Sequence, residues 1–335
     1  MGSNKVEMQH RILVYGMSRS GSTLLVKALR KYFFLYHDKD MSVLSRANLL
    51  QQYAKGNMNK PMESLINDAA APKRFENFLK NRSYILKFHV PISPRIVLVR
   101  GFADEPPTYT EIEGEHRNLT PAESDKLQKK ISKRTMRNID FSIYCIRDLR
   151  DATVSEYISY VASNRGWNRA KSTANLAEYD RGTNKTLKKL SNRLAYESTS
   201  WREITSPDFN WKYEDYKKDP LGQFREVFSK MSETMQTKKL SDTEITNLLD
   251  SLADPVELSS RGPAESIKAA KERIKHPEVW AIRTSNKPNN TNWNVGVSST
   301  GGKVGCYKEV LHEEYTKQIE KFHGKFLNES GYITE

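Results

Sequence analysis

Residues Arg11 to Arg30, RILVYGMSRSGSTLLVKALR, constrain the fold of this chain more than any other stretch. Ile12, Leu13, Val14 and Tyr15 form a short continuous apolar run, rich in β-branched and aromatic side chains, as a strand buried on both faces requires. The residues from Gly16 to Thr23 are small and hydroxylated around Gly16 and Gly21. Leu24, Leu25, Ala28 and Leu29 then recur at helical spacing, with Lys27, Arg30 and Lys31 between them. Strand, glycine-bearing turn and helix in that order aim free backbone N–H groups at an anion. Ser20, Ser22 and Thr23 add hydroxyl donors, and Arg19 a planar cationic fork. The stretch reads as a phosphate-binding turn.

Such a turn belongs to a sheet, and the chain supplies one. Tyr84–Val90 (YILKFHV) and Phe141–Ile146 (FSIYCI) are buried-strand runs, and Phe33–His37 and Phe209–Tyr216 (FNWKYEDY) also read as strands. Helical patterns separate them. Pieces over 44–80 are broken at Gly56, Pro61 and Pro72, and a helix after Asp151 carries Val154, Ile158 and Val161 inward. Residues 165–208 are polar and helical, and Asp219-Pro220 opens an amphipathic helix with Leu221, Phe224, Val227 and Phe228 on one face. Further helices are expected to about Lys275, a long irregular segment over 284–305, and a last helix over about 313–328. The alternation predicts an α/β fold: a central parallel sheet flanked by helices, with a P-loop-like turn. With 335 residues, no repeat and no clean linker, we expect a tail of residues 1–10 and a single domain over 11–335. Residues 95–140 form an excursion, closing on a very basic helix up to Arg137.

The formal net charge of +13 favours anionic partners. Nucleic acid, a membrane surface, a polyanionic sugar and a highly phosphorylated cofactor satisfy it equally. The cations of Lys126–Arg137 read first as a solvated face. Cys145 and Cys306 make no disulfide framework, and no zinc spacing or carboxylate cluster predicts a metal. MGSNKVEMQHR has no apolar leader and no run has the length of a membrane helix, so a cytoplasmic location without membrane contact is expected.

Two further segments carry chemistry. Arg147 ends the Phe141–Ile146 strand, and Ser155 follows eight residues later near a helix start. Ligands of open α/β sheets bind at carboxyl strand ends, so both side chains can meet one phosphate there. Lys87 and His89, two apart on a strand, project from one face, while Leu86, Phe88 and Val90 project from the other. Histidine suits proton transfer because its pKa lies near neutrality. The plain alternatives are a surface ion pair for Arg147 and a structural role for His89.

Four pieces in chain order resemble one known family. Gly16 and Gly21 have the spacing of the nucleotide loop G-x-x-x-x-G-K-[ST], but Ser22 stands where its lysine belongs. Arg19–Leu25 (RSGSTLL) instead resembles the 5′-phosphosulfate loop of sulfotransferases that use 3′-phosphoadenosine 5′-phosphosulfate (PAPS). Arg147–Ser155 (RDLRDATVS) resembles their 3′-phosphate motif, Lys87–Pro91 (KFHVP) their Lys-x-His-x-Pro segment, and Tyr213-Glu214-Asp215 their adenine-contacting Tyr-Glu-Asp element. Gly302–Lys308 (GKVGCYK) is similar to the family lid, with Thr300-Gly301 where an Arg-Lys pair belongs.

The resemblance implies a sulfotransferase that moves a sulfuryl group to a hydroxyl or amine and releases adenosine 3′,5′-bisphosphate (PAP). It implies catalytic roles for His89 as base and for Arg19 and Lys87 in charge stabilisation. It implies cofactor contacts from Arg19, Ser20, Gly21, Ser22, Thr23, Arg147, Ser155, Tyr213, Gly302 and Lys303, and no metal. The expected acceptor is a small molecule, anionic or carbohydrate, with no nucleic-acid partner; no oligomeric state follows from the residues. The rival readings are a small-molecule kinase with a variant nucleotide loop and a non-catalytic module that binds polyanions.

Overall fold

The computed structural model describes residues 9–44, 82–89, 136–165, 176–201, 204–253 and 303–333. The helical pieces expected over 45–81, the excursion as far as residue 135, the segment from 254 to 302 (with Gly302) and Val90-Pro91 lie outside the described residues. The described strands are β1 (Arg11–Gly16), β2 (Ser42–Leu44), β3 (Tyr84–Phe88), β4 (Phe141–Ile146) and β5 (Phe209–Lys212). They form one sheet in the order β2-β3-β1-β4-β5, every pair parallel. The described helices are α1 (Ser22–His37), α2 (Leu149–Arg165), α3 (Arg181–Thr199), α4 (Tyr213–Lys218), α5 (Pro220–Met235), α6 (Asp242–Ala253), α7 (Tyr307–Val310) and α8 (Glu313–Glu329). No helix among the described residues is long and apolar enough to cross a membrane.

The strand order makes the middle of the sheet a topological switch. From β1 the chain leaves toward β2 and β3 on one side, and it returns to β4 and β5 on the other. Loops at the carboxyl ends of β1 and β4 therefore diverge and leave a crevice between them. Register then aligns the chemistry: Tyr15 pairs with Phe88 and Tyr144, and Gly16 with Cys145. His89 is one residue past Phe88 and Arg147 two past Cys145, so both emerge beside the turn that follows Gly16.

Both faces of the sheet are covered, which is why β1 reads as an unbroken apolar run. Ile12 and Val14 pack with Leu25, Leu29 and Phe33 of α1, and with Phe224, Phe228 and Met231 of α5 and Ile245 of α6. Leu13 and Tyr15 face the other way, against Leu86, Phe88 and Trp201. A third cluster joins α2, α3 and α8 through Leu149, Leu190, Leu194, Ile319 and Leu327, and reaches the turn at Met17.

Two expected strands are corrected. Phe33–His37 is the last part of α1, and the second strand is the short Ser42–Leu44. The apolar phase begun at Leu25 and Leu29 continues through Tyr32 and Phe33, and no turn residue interrupts it before Asp38, the left-handed C-cap. Tertiary context supplied by α5 and α6 decides in favour of the helix. Phe209–Tyr216 is strand only to Lys212; Tyr213 opens α4. The helix expected from Asp219-Pro220 is α5, with the Asp219 side chain accepting the Gly222 N–H.

Burial sets a pH dependence. His10 is 5% exposed between Phe33 and His37, and burial, reinforced by the charges of Lys39 and His37, lowers its pKa to about 4. His37, His89 and His323 are also lowered, with burial as the first cause in each. An unfolded imidazole takes up its proton near pH 6.5 and folded His10 near 4, so stability falls on acidification across that window. Urea midpoints taken between pH 8 and 4.5 should drop in step, and the drop should be smaller in His10→Phe.

Candidate active site

The turn between β1 and α1 is shaped by backbone that side chains would obstruct. Gly16 has φ 109°, the Met17 N–H donates to the Cys145 carbonyl at 2.9 Å, and a Cβ on Gly16 would collide with that same oxygen. Gly21, with φ 79°, is the N-cap of α1, and a Cβ there would press on the Tyr213 ring. Arg19 sits between them at φ 65°, a left-handed conformation that costs a non-glycine residue free energy. Beyond Gly21, the first N–H groups of α1 lack intrahelical acceptors, and the helix dipole is positive there.

The hydroxyls divide their work. Ser20 is fully buried; its Oγ donates to the Met17 carbonyl at 2.6 Å, and its own carbonyl accepts Trp211 Nε1 at 3.1 Å. It braces the turn from inside. Ser22 is the buried first residue of α1, and Thr23 Oγ1 accepts Lys87 Nζ at 2.6 Å.

Arg147 closes the other side of the crevice. Its guanidinium is 2% exposed and lies over the Tyr213 ring, 4.4 Å from the centroid. Nη1 donates to the Arg19 carbonyl and Nη2 to the Lys303 carbonyl, each at a long 3.3 Å, and Nε has no partner among the described residues. Asp151, fully buried at 3.8 Å from Arg147, accepts the Gly305 N–H at 2.6 Å, the Tyr307 N–H at 3.0 Å and the Cys306 thiol at 3.1 Å. The segment after residue 302 is thus stapled onto α2 beside Arg147. Lys303 contributes its carbonyl here, while its ammonium pairs with Glu309 at the surface. Ser155 lies half-buried in the second turn of α2. Glu214, next to Tyr213, accepts the Asp148 N–H at 3.0 Å and the Tyr332 hydroxyl at 2.8 Å, joining β5 to the turn after β4.

The third component is His89, at the carboxyl end of β3. His89 Nδ1 is 3.0 Å from the Gly16 carbonyl. A carbonyl only accepts, so Nδ1 carries the proton and Nε2 keeps its lone pair. Burial lowers the His89 pKa, with Lys87 adding to the effect and Glu197 opposing it, so the ring is neutral at pH 7. Trp201 Nε1 holds the His89 carbonyl at 3.3 Å. Lys87 is mostly buried, and desolvation lowers its pKa to about 8.

Of the residues expected at the site, Arg19, Ser20, Gly21, Ser22, Thr23, Lys87, His89, Arg147, Tyr213 and Lys303 gather at this carboxyl edge of the sheet. Sequence reasoning passed over Glu156, Arg193 and Glu197. Glu197 accepts the Ser18 N–H at 2.8 Å, and Glu156 binds both Arg19 and Arg193. A signal was present: Arg193 and Glu197 share the helical phase of buried Leu190, Leu194 and Trp201, where apolar residues belong.

No family model matches the chain, and no curated protein matches its sequence. Among solved structures it is similar to mouse sulfotransferase SULT7A1 complexed with PAP, at 13% identity and a TM-score of 0.39, covering 95% of this chain and 84% of that one. It is also similar to sulfotransferase STF9 from Mycobacterium avium, at 13% identity and a TM-score of 0.33, covering 84% of this chain and 78% of that one.

The turn itself makes a testable demand. Gly16→Ala combines a positive φ with a backbone collision, so denaturant unfolding should show a loss of about 2 kcal/mol or more. A loss below about 0.5 kcal/mol, the level of a neutral surface change, would mean that the turn is not held as described.

Proposed function

We propose that this chain is a sulfotransferase that uses PAPS and sulfates a hydroxyl or amine of a small-molecule acceptor. One observation carries the reading. Two anion-seeking sites, the turn after β1 and Arg147 after β4, meet at one carboxyl edge with the Tyr213 ring between them, and a neutral imidazole is fixed to the same turn. Paired anion sites flanking an aromatic face suit a nucleoside carrying phosphates on its 5′ and 3′ sides. The motif resemblances at Arg19–Leu25, Arg147–Ser155 and Lys87–His89 point the same way.

The residues fit the cofactor on physical grounds. Arg147 is a buried cation whose Nε has no partner among the described residues, and such a donor costs free energy until an acceptor arrives. Gly16 and Gly21 leave room where a Cβ would intrude. The turn and the first N–H groups of α1 would hold the 5′ side, Arg147 with Ser155 the 3′-phosphate, and Tyr213 the adenine. Lys303 belongs to the adjoining segment, its carbonyl accepting from Arg147. When bound, PAPS supplies an activated sulfuryl group and leaves as adenosine 3′,5′-bisphosphate.

The chain's own work is positioning and charge stabilisation. His89 Nε2 takes the proton of the acceptor hydroxyl or amine, and its Nδ1–H bond to Gly16 keeps the ring in the tautomer that allows this. Lys87 and Arg19 place positive charge beside the reacting centre. Lys87 is anchored on Thr23 and so cannot swing away.

Three outcomes test the reading. Titration calorimetry without magnesium should give tight binding of adenosine 3′,5′-bisphosphate, weakened by about 2 kcal/mol in Arg147→Ala; binding of ATP with magnesium alone would favour a kinase. His89→Ala should depress turnover and leave bisphosphate affinity nearly intact. With an acceptor found by screening, kcat/KM should fall on the acid side, at a pH below the ordinary imidazole range, as His89 protonates, and above about 8 as Lys87 loses its charge. A profile flat across both limbs would remove these two residues from the mechanism.

A further inference from the structure

Behind the turn stand two carboxylates that the proposed reaction does not use. Glu156 of α2 accepts Arg19 Nε–H at 2.5 Å and is bonded by Arg193 of α3 as well. Glu197, one turn of α3 beyond Arg193, accepts the Ser18 N–H at 2.8 Å and lies 3.5 Å from Arg193 Nε. Arg193 therefore stands between two acids, each of which grips one residue of the anion turn. Burial pushes the Glu156 pKa up, but Arg19 and Arg193 outweigh it and keep the carboxyl below the ordinary range, hence ionised.

The geometry of the Arg19 bond matters. A carboxylate most often takes an arginine through two parallel N–H bonds, which would use an Nη. Glu156 takes Nε, so the N–H groups on Nη1 and Nη2 have no partner among the described residues. Arg19 is the exposed residue of the turn, with 38% of its side chain open to solvent, and an untethered arginine there would lose rotamer freedom when it meets a ligand. Glu156 has already restricted it.

We propose that Glu156 is a positioning residue: braced by Arg193, it holds Arg19 by Nε so that the Nη donors serve the outermost oxyanion of the cofactor, the sulfuryl group. This rests on the sulfuryl-transfer reading. Direct electrostatics alone would predict the opposite of positioning, since removing a negative charge beside an anion site should tighten anion binding.

The test compares two probes on the intact chain by calorimetry: adenosine 3′,5′-bisphosphate, which lacks the sulfuryl group, and PAPS, which has it. In Glu156→Gln, PAPS should weaken about tenfold, the worth of one charge-assisted bond, while the bisphosphate changes less than about threefold. Adding Glu156→Gln to Arg19→Ala should cost nothing more, because the two act through one contact. Arg19→Lys, which keeps the charge but has no Nε to be held, should reproduce the selective loss and serves if Glu156→Gln fails to fold. Equal losses for both probes, tighter binding of both, or additive losses in the double variant would each overturn the proposal. If the parent chain binds neither probe, the sulfuryl-transfer reading fails and takes this one with it. If it binds both and the variants discriminate nothing, only the role of Glu156 fails.

Discussion

The Arg147 guanidinium, almost wholly removed from water, ties together three pieces of chain that are remote in sequence: the turn after β1 through the Arg19 carbonyl, the C-terminal segment through the Lys303 carbonyl, and the start of α4 through the Tyr213 ring. Burying a cation is costly unless its donors are satisfied. Here they are satisfied only in part. Both Nη bonds are long, and among the described residues Nε has no partner and the nearest carboxylate, Asp151, is occupied by three donors of its own. This edge therefore keeps guanidinium donors that are only partly satisfied, beside a carboxylate shared with other donors, and the rest of the edge is arranged around them.

Asp151 explains how the protein tolerates this arrangement. It supports Arg147 at 3.8 Å and takes two backbone N–H groups and a thiol from residues 305–307, so one buried carboxylate stabilises the cation and docks the segment that helps enclose it. Removing Asp151 would leave Arg147 buried without a carboxylate and strand three donors, which is more costly than the pair itself. The adjacent Arg150–Asp148 pair does similar structural work, reaching Glu320 of α8 and the Tyr332 carbonyl.

The turn after β1 and the His89 imidazole are one mechanical unit. His89 is fixed to the Gly16 carbonyl, Lys87 to Thr23, Glu197 to Ser18 and Glu156 to Arg19, so no catalytic candidate is positioned independently of the turn. The coupling follows from parallel register, which brings the ends of β1, β3 and β4 level. It also means that a shift in the turn moves the imidazole with it, and reactions that depend on alignment are sensitive to sub-ångström displacements.

The α/β class, the central strands β1, β3 and β4 and the glycine-bearing turn before α1 were all legible in the residues alone. These are local properties: an unbroken apolar run means a strand covered on both faces, and glycines flanked by hydroxyl residues before a helical phase mean a turn that presents N–H groups. Sequence reasoning misread Phe33–His37, because an aromatic run of that length suits a strand or a buried helix and only the packing of α5 and α6 against α1 chooses. It also passed over Glu156, Arg193 and Glu197, which lie on α2 and α3 far from any motif. Tertiary structure alone decided which carboxylate meets which arginine, that Ser20 turns its hydroxyl inward, that Arg147 rests on Tyr213, and that His89 presents Nε2. Those are contacts between residues tens to hundreds of positions apart, and strand register and helix packing, not local propensity, bring them together.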